Sequence, residues 1–277
     1  MKREIDFVKF NPTQNMTILV KTKHAPEEHT PIASRMMSYD HVYAEQVGFI
    51  EEPRKHEAAV HLQMAGGEFC GNACMALAAY LASEQGSGSH EMTEIVLEAS
   101  GIDQLVTCQV KTTPDKYFVQ VAMPVPSTVE LKTVKYDGEA LRLVIVRYRD
   151  FVHIVIEVEQ FSAHMRQTAE GLARLLGVIM DASLIGILLF KPDSDELAPL
   201  IYVPRLDSMI WERGCGSGTA SIGAYLAWKN KREITLPVMQ PGGTIHVTAN
   251  WTNDGITAIS IEGTVGIVAQ GKAFIEV

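Results

Sequence analysis

CGSGTASIGAYLA, residues Cys215–Ala227, repeats an earlier stretch of the same chain, CGNACMALAAYLA, residues Cys70–Ala82. Cys-Gly opens both stretches and Ala-Tyr-Leu-Ala closes both, so six of thirteen positions are identical. The two cysteines stand 145 residues apart, about half the chain. A match at that distance is the mark of an internal duplication, and with only two copies it is not a solenoid. Each copy reads as a helix. Met75, Leu77, Tyr80 and Leu81, among five alanines through Ala82, make the first apolar nearly all round, so it should be buried on most sides. Ile222, Tyr225, Leu226 and Trp228 repeat the pattern, with Ser221 and Gly223 keeping one flank small. Gly66, Gly67 and Gly71, then Gly214, Gly216 and Gly218, mark a tight entry to each helix.

The text around these helices is strand-like. MTILV (16–20), AAVHLQM (58–64), EIVLEA (94–99), QLVTCQV (104–110) and YFVQVAM (117–123) lie in the first half. RLVIVRY (142–148), VHIVIEV (152–158), GILLF (186–190), LIYVP (200–204), TIHVTA (244–249), AISIEGTV (258–265) and KAFIEV (272–277) lie in the second. Many are β-branched, alternate in polarity and end at Gly, Pro, Asn or Asp. Further helices are expected near 30–39 and 161–177. The fold class is therefore α/β of the α+β kind: two pseudo-symmetric domains, each a rolled, mainly antiparallel sheet around a central helix. The expected boundaries are 1–126 and 127–266, with MPVPSTVE (123–130) as linker and the strand at 267–277 crossing back to the first sheet.

Composition narrows the function classes. Twenty-four basic residues against 33 acidic ones give a net charge of −9, which argues against a nucleic-acid groove or a polybasic membrane patch. No run approaches the roughly 18 apolar residues of a membrane span, and the N-terminus lacks a signal-peptide core. Four cysteines in 277 residues do not make a disulfide framework. A cytoplasmic protein with reduced thiols and a small-molecule substrate is expected.

Cys74 and Cys108 read as core filler, the common fate of a free cysteine. Cys70 and Cys215 differ, because each stands at the start of a helix, where unpaired N–H groups and the macrodipole favour an anion. Such a position lowers a thiol's pKa from about 8.5 toward the range of roughly 3.5–7.5. No neighbouring His or Cys supplies zinc spacing, the histidines (His90 among them) show no metal pattern, and Cys-x-x-Cys is absent. No metal is expected. If a two-fold relation brings both helix starts to one cleft, the two thiols suit removal of an α-proton on one face and its return on the other. The carboxylate of an amino acid would lie against the glycine-rich helix entries.

EFCGNA (68–73), WERGCGSGTAS (211–221) and QPGGTIHV (240–247) resemble the diaminopimelate epimerase and proline racemase superfamily of cofactor-independent enzymes. FNPTQNMTILV (10–20), HVYAEQVGFIE (41–51) and GSGTASIG (216–223) are more similar to the histidine racemases of staphylopine-type metallophore biosynthesis. The resemblance spans nearly the whole chain. It implies the two-domain rolled fold, no cofactor, histidine as substrate and Cys70 with Cys215 as the catalytic pair; a homodimer is left open. By the same resemblance Gly71, Asn72, Gly216 and Ser217 are the helix-entry groups holding the carboxylate. Asn15 is the asparagine of the first loop, Gln46 a substrate-side glutamine and Glu212 the acid of Trp-Glu-Arg-Gly.

The departures bear on the substrate. Diaminopimelate epimerases usually carry several residues between Trp-Glu-Arg-Gly and the second cysteine, whereas here Cys215 follows Gly214 directly. Met16 and Thr17 follow Asn15 in place of Asp-Phe. Both weaken diaminopimelate as substrate, and the first leaves Arg213 out of the contact set. Glu45, between apolar residues, is a candidate acceptor for an imidazole N–H, set against a solvated strand-end carboxylate. His153 in FVHIVI reads as a hydrogen-bonded interior residue rather than a second base. The rival functions are diaminopimelate epimerase, a lyase of the same fold, and an amino-acid binding protein with inert cysteines.

Overall fold

The computed structural model describes residues 2–86, 92–180, 182–204 and 207–276; His90 lies outside them. The chain forms two compact units, one of residues up to Ala122 plus those from Glu262 on, the other Met123–Ile261.

The first unit contains β1 (Lys2–Pro12), β2 (Thr17–Val20), β3 (Gln46–Glu51), β4 (Val60–Met64), β5 (Met92–Ala99), β6 (Val106–Thr112) and β7 (Tyr117–Met123). These pair in chain order, and β1 and β7 both pair with the long last strand β16 (Gly255–Glu276), so the pairings run in a closed ring. β2–β3 and β4–β5 are parallel, while β1–β2, β3–β4, β5–β6, β6–β7 and β1–β16 are antiparallel. The helix α2 (Gly71–Glu84) packs against β1 through β6. Its small alanines allow strands to approach on every side, and Gly71 through Ala79 are all buried. An all-apolar surface has no other stable place in a soluble domain.

The helix α1 (Pro26–Met37) lies against β3 and buries Ile32, Ala33 and Met36 among Ile5, Ile18, Val20, Val47 and Phe49. It starts ahead of the expected residue 30 because Pro26 occupies the first turn, where its missing N–H costs nothing.

The second unit holds β8 (Thr128–Tyr136), β9 (Glu139–Arg147), β10 (Phe151–Glu157), α3 (Ala163–Ile179), β11 (Leu184–Lys191), β12 (Glu196–Val203), β13 (Ser208–Trp211), α4 (Gly216–Asn230), β14 (Ile234–Gln240) and β15 (Gly243–Thr252). The order is β16–β15–β14–β12–β11–β10–β9–β8, with β13 on β12. Here α4 repeats the part of α2, packing on β9, β10, β11, β14 and β15. The Ser162 hydroxyl caps α3 by accepting from the Met165 N–H, and α3 packs on β11 and β12 over Leu172, Ile187 and Leu200.

β1, β3, β8, β13 and β14 lie outside the stretches read as strands from the sequence, and AISIEGTV and the described part of KAFIEV belong to one strand, β16. Part of the expected linker, from Thr128, is the start of β8, paired antiparallel with β9 through Tyr136↔Glu139. β14 was absent from the expected strands because Pro237 interrupts it. It survives because only Glu196↔Met239 joins it to β12, so the missing N–H falls on a nearly unpaired side.

Candidate functional site

Each unit carries the same local device. Cys70 is the N-cap of α2 with extended backbone (φ −133, ψ 109), and its sulfur accepts from the Ala73 N–H at 3.3 Å. Cys215 is the N-cap of α4 (φ −117, ψ 107), and its sulfur accepts from the Gly218 N–H at 3.3 Å. Thiol sulfur thus takes the place that Ser or Asp oxygen usually fills, satisfying one orphan donor of the helix start. Cys70 is half-buried; Cys215 is buried.

In the first unit the Cys70 thiol donates to Gln46 Oε1 at 2.8 Å. Gln46 Nε2 in turn donates to Asn15 Oδ1. Asn15 is fully buried, and its Nδ2 has no hydrogen-bond partner among the described residues. It owes that position to the turn between β1 and β2. Thr13 and Gln14 both sit in the left-handed region (φ 51 and 60), and the Asn15 N–H donates to Pro12 O at 3.0 Å. Gly71 and Asn72 form the buried first turn of α2. Glu45 is half-buried at the bend before β3, its N–H bonded to Met16 O at 2.9 Å. Asn15, Gln46 and Cys70 are therefore one hydrogen-bonded chain, with Glu45 adjoining Gln46 in sequence.

In the second unit the Cys215 thiol donates to the Glu212 carboxylate and lies 3.6 Å from Ser217 Oγ. Burial pushes the thiol well above its ordinary range, and the Glu212 charge and hydrogen bond add to it; Ser217 and the Gly218 N–H act the other way. The helix start alone favours the thiolate, as the sequence implied, but desolvation and a neighbouring carboxylate outweigh it here. The Cys215 N–H donates to Gln240 Oε1 at 2.7 Å, Gln240 Nε2 donates to Thr219 Oγ1 at 2.8 Å, and that hydroxyl donates to Cys215 O at 2.7 Å. Both ends of the cysteine's backbone are therefore held. Gln240 and Thr219 were not among the residues expected from sequence, although both stand in the quoted motifs; only the fold brings Gln240 to α4. Gly216 and Ser217 form the first turn of α4, and Gly218 keeps clear the space beside the sulfur. A Cβ there would come within 3.1 Å of Cys215 Sγ.

Beneath the same helix start His153 is fully buried, its Nδ1 2.8 Å from Ser221 Oγ. Burial drives its pKa down to about 3, against a bond to the Ser217 main chain that favours the proton. It is a neutral interior residue. Cys74 and Cys108 are core thiols, Cys108 pushed up to about 12 by burial. Among the described residues no group of three or more His, Cys, Asp or Glu could hold a metal ion, and no helix is long and apolar enough to cross a membrane.

The fold is that of amino-acid epimerases and racemases. A hydroxyproline epimerase from Agrobacterium vitis superposes with a TM-score of 0.77 at 10% identity, covering 99% of this chain and 94% of that one. A probable proline racemase from Agrobacterium radiobacter K84 gives 0.70 at 12% identity, covering 99% and 92%. The closer relationship is in sequence. The model of the histidine racemase CntK N-terminal domain matches residues 4–274. A histidine racemase from Staphylococcus aureus (strain Mu50) is 37% identical over 99% of both chains, and one from Fusobacterium nucleatum (strain ATCC 23726) is 32% identical over 98% of this chain and 97% of its own. The chain belongs to the histidine racemase family and is an isomerase of the racemase type.

Proposed function

We propose that this enzyme interconverts L- and D-histidine without a cofactor, with Cys70 and Cys215 as the two proton-transfer groups. The observation that carries the reading is the matched pair of helix-capping thiols, each donating to a side-chain oxygen, Gln46 on one and Glu212 on the other. A thiolate on one face removes the α-proton and becomes a thiol. The second thiol gives its proton to the opposite face and becomes a thiolate. The carbon centre is inverted, and exchange of protons between thiols and solvent restores the starting state.

The substrate carboxylate, on which negative charge develops, would be held by first-turn N–H groups such as those of Gly71 and Asn72 or of Gly216 and Ser217. The unpartnered Nδ2 of Asn15 is a further donor that a bound carboxylate or imidazole would satisfy, since a buried amide without a partner is costly. Gln46 positions the Cys70 thiol. Glu45 accepts the imidazole N–H, a charge-assisted bond that rejects side chains lacking the donor. The diaminopimelate reading has no support from the relatives in sequence, which are histidine racemases. In the cell the product D-histidine feeds an opine metallophore made in the cytoplasm.

The test is a substrate survey by chiral chromatography: each L-amino acid, with and without exhaustive chelation. L-Histidine should be the best substrate by kcat/KM and chelation should leave its rate unchanged. A better rate with diaminopimelate, or activity lost to a chelator and restored by metal, would overturn the proposal.

A further inference from the structure

A buried polar network packs against α4, the helix that Cys215 caps. Ser221 is fully buried in the helix interior, where a serine hydroxyl destabilises unless it is bonded. Its oxygen lies 2.8 Å from the Tyr148 hydroxyl and 2.8 Å from His153 Nδ1. His153 Nε2 is buried with no hydrogen-bond partner among the described residues. The connection runs from the phenol on the turn after β9 to Ser221 in α4, six residues beyond Cys215.

Each member is held by packing. The Tyr148 ring stacks on Phe151 with centroids 4.2 Å apart and planes at 15°. The His153 ring lies over its parallel register partner Gly186, where a Cβ would come within 2.4 Å of Cδ2. Only glycine on β11 leaves room for an imidazole there. Three buried polar side chains with specific neighbours are more than a core requires, because three apolar residues would pack as well without desolvation. The network is anchored on Ser221, in the helix capped by a thiol whose position decides whether it reaches an α-carbon.

We propose that Tyr148 is a positioning residue for Cys215, acting with His153 through Ser221 on the helix α4 that Cys215 caps. The inference rests on Cys215 being one of the two proton-transfer groups. Tyr148 is buried, and in this scheme it acts through the helix rather than on the substrate. Its hydroxyl and the His153 imidazole together fix the Ser221 side chain, and so the setting of the helix whose start carries the thiol.

The test compares Tyr148→Phe and Ser221→Ala, singly and together, with Cys215→Ala on the full chain. Tyr148→Phe keeps the stacked ring and removes one hydroxyl; Ser221→Ala keeps a good helix former. Three readouts are taken: kcat and KM for histidine, far-UV circular dichroism, and the rate at which a small methanethiosulfonate labels each cysteine, resolved by peptide mass. Each single variant should be folded and lose about tenfold in kcat, equivalent to about 1.4 kcal/mol, with KM within about twofold. Labelling of Cys215 should change by about threefold or more while that of Cys70 stays as in wild type. The double variant should be no worse than either single one, because both cut one connection. Wild-type kcat and Cys215 labelling in both single variants would overturn the proposal. So would equal changes at both thiols, or a loss that follows only unfolding in both, since that is a general packing role. Activity surviving in Cys215→Ala would instead overturn the catalytic reading on which the inference rests.

Discussion

Substituting Gly218 by alanine separates the position of the Cys215 thiol from the stability of the helix that carries it. Gly218 is the third residue of α4 with ordinary helical backbone, so alanine is conformationally allowed, and helix propensity alone favours it by about 1 kcal/mol. The added methyl would stand 3.0 Å from Leu188 Cδ2 and 3.1 Å from Cys215 Sγ. Both contacts are tighter than comfortable by a few tenths of an ångström, and small overpacking costs about 1–3 kcal/mol. The two effects nearly offset, so the midpoint of thermal unfolding should move by only a few degrees. The sulfur, however, must shift to relieve its contact, and a misplacement on the order of 1 Å can cost about a hundredfold in rate. We expect kcat in both directions to fall by about ten- to a hundredfold in a folded protein. The assay is initial-rate racemisation of L- and D-histidine by chiral chromatography, beside thermal unfolding. Gly223→Ala serves as the contrast: its methyl would meet Val247 Cγ2 at 2.5 Å, away from the thiol. That variant should lose stability while its folded fraction keeps near-normal kcat. A folded Gly218→Ala enzyme within twofold of wild type would refute the argument that thiol placement at the helix start limits the reaction.

Cys70→Ala and Cys215→Ala should each abolish racemisation in both directions, measured from either enantiomer; substantial activity in one variant removes the two-thiol scheme. Glu212→Gln removes the charge that helps to raise the Cys215 thiol, so its ionisation, followed by thiolate absorbance, should move to lower pH; an unchanged or higher midpoint counts against the Glu212 contact. Glu45→Ala should raise KM for histidine by about 10–150-fold, the equivalent of about 1.5–3 kcal/mol for a hydrogen bond to a charged group, and leave alanine turnover nearly unaffected. An equal loss for both substrates would make Glu45 structural. His153 binds its proton less tightly folded, at about 3, than at the ordinary 6.5. Its contribution is therefore intact above about 6.5 and declines as pH falls from there toward 3, because only the unfolded chain takes up the proton. Denaturant unfolding between about pH 7 and 4 should show that slope in wild type and a shallower one in His153→Gln.

The duplicated helices were legible because their pattern is local. Cys-Gly at the entry and an all-apolar run behind it specify a capped, enclosed helix before any tertiary contact is known. β8 was hidden because Thr128–Tyr136 is mostly exposed and lacks a buried apolar face, so nothing in its composition separates it from a linker. β14 was hidden by Pro237, whose tolerance depends on how little of that strand β12 occupies. At the candidate site, the helix-start preference for an anion could be read from the text around Cys215. The opposing burial and the Glu212 carboxylate could not be weighed without the fold. Gln240 holds the Cys215 N–H from 25 residues away, a distance at which no local pattern speaks.

Transfer of a proton off one face and onto the other by two different thiols leaves a distinct isotopic signature in D2O. L-Histidine is incubated with enzyme and the α-position of both enantiomers is followed by NMR and mass at low conversion. D-Histidine should carry deuterium at the α-carbon while the recovered L-histidine keeps protium, because the thiol that protonates the second face has exchanged with solvent. Deuterium entering the recovered L-histidine as fast as D-histidine forms would mean a single exchanging base, and would contradict transfer by two thiols.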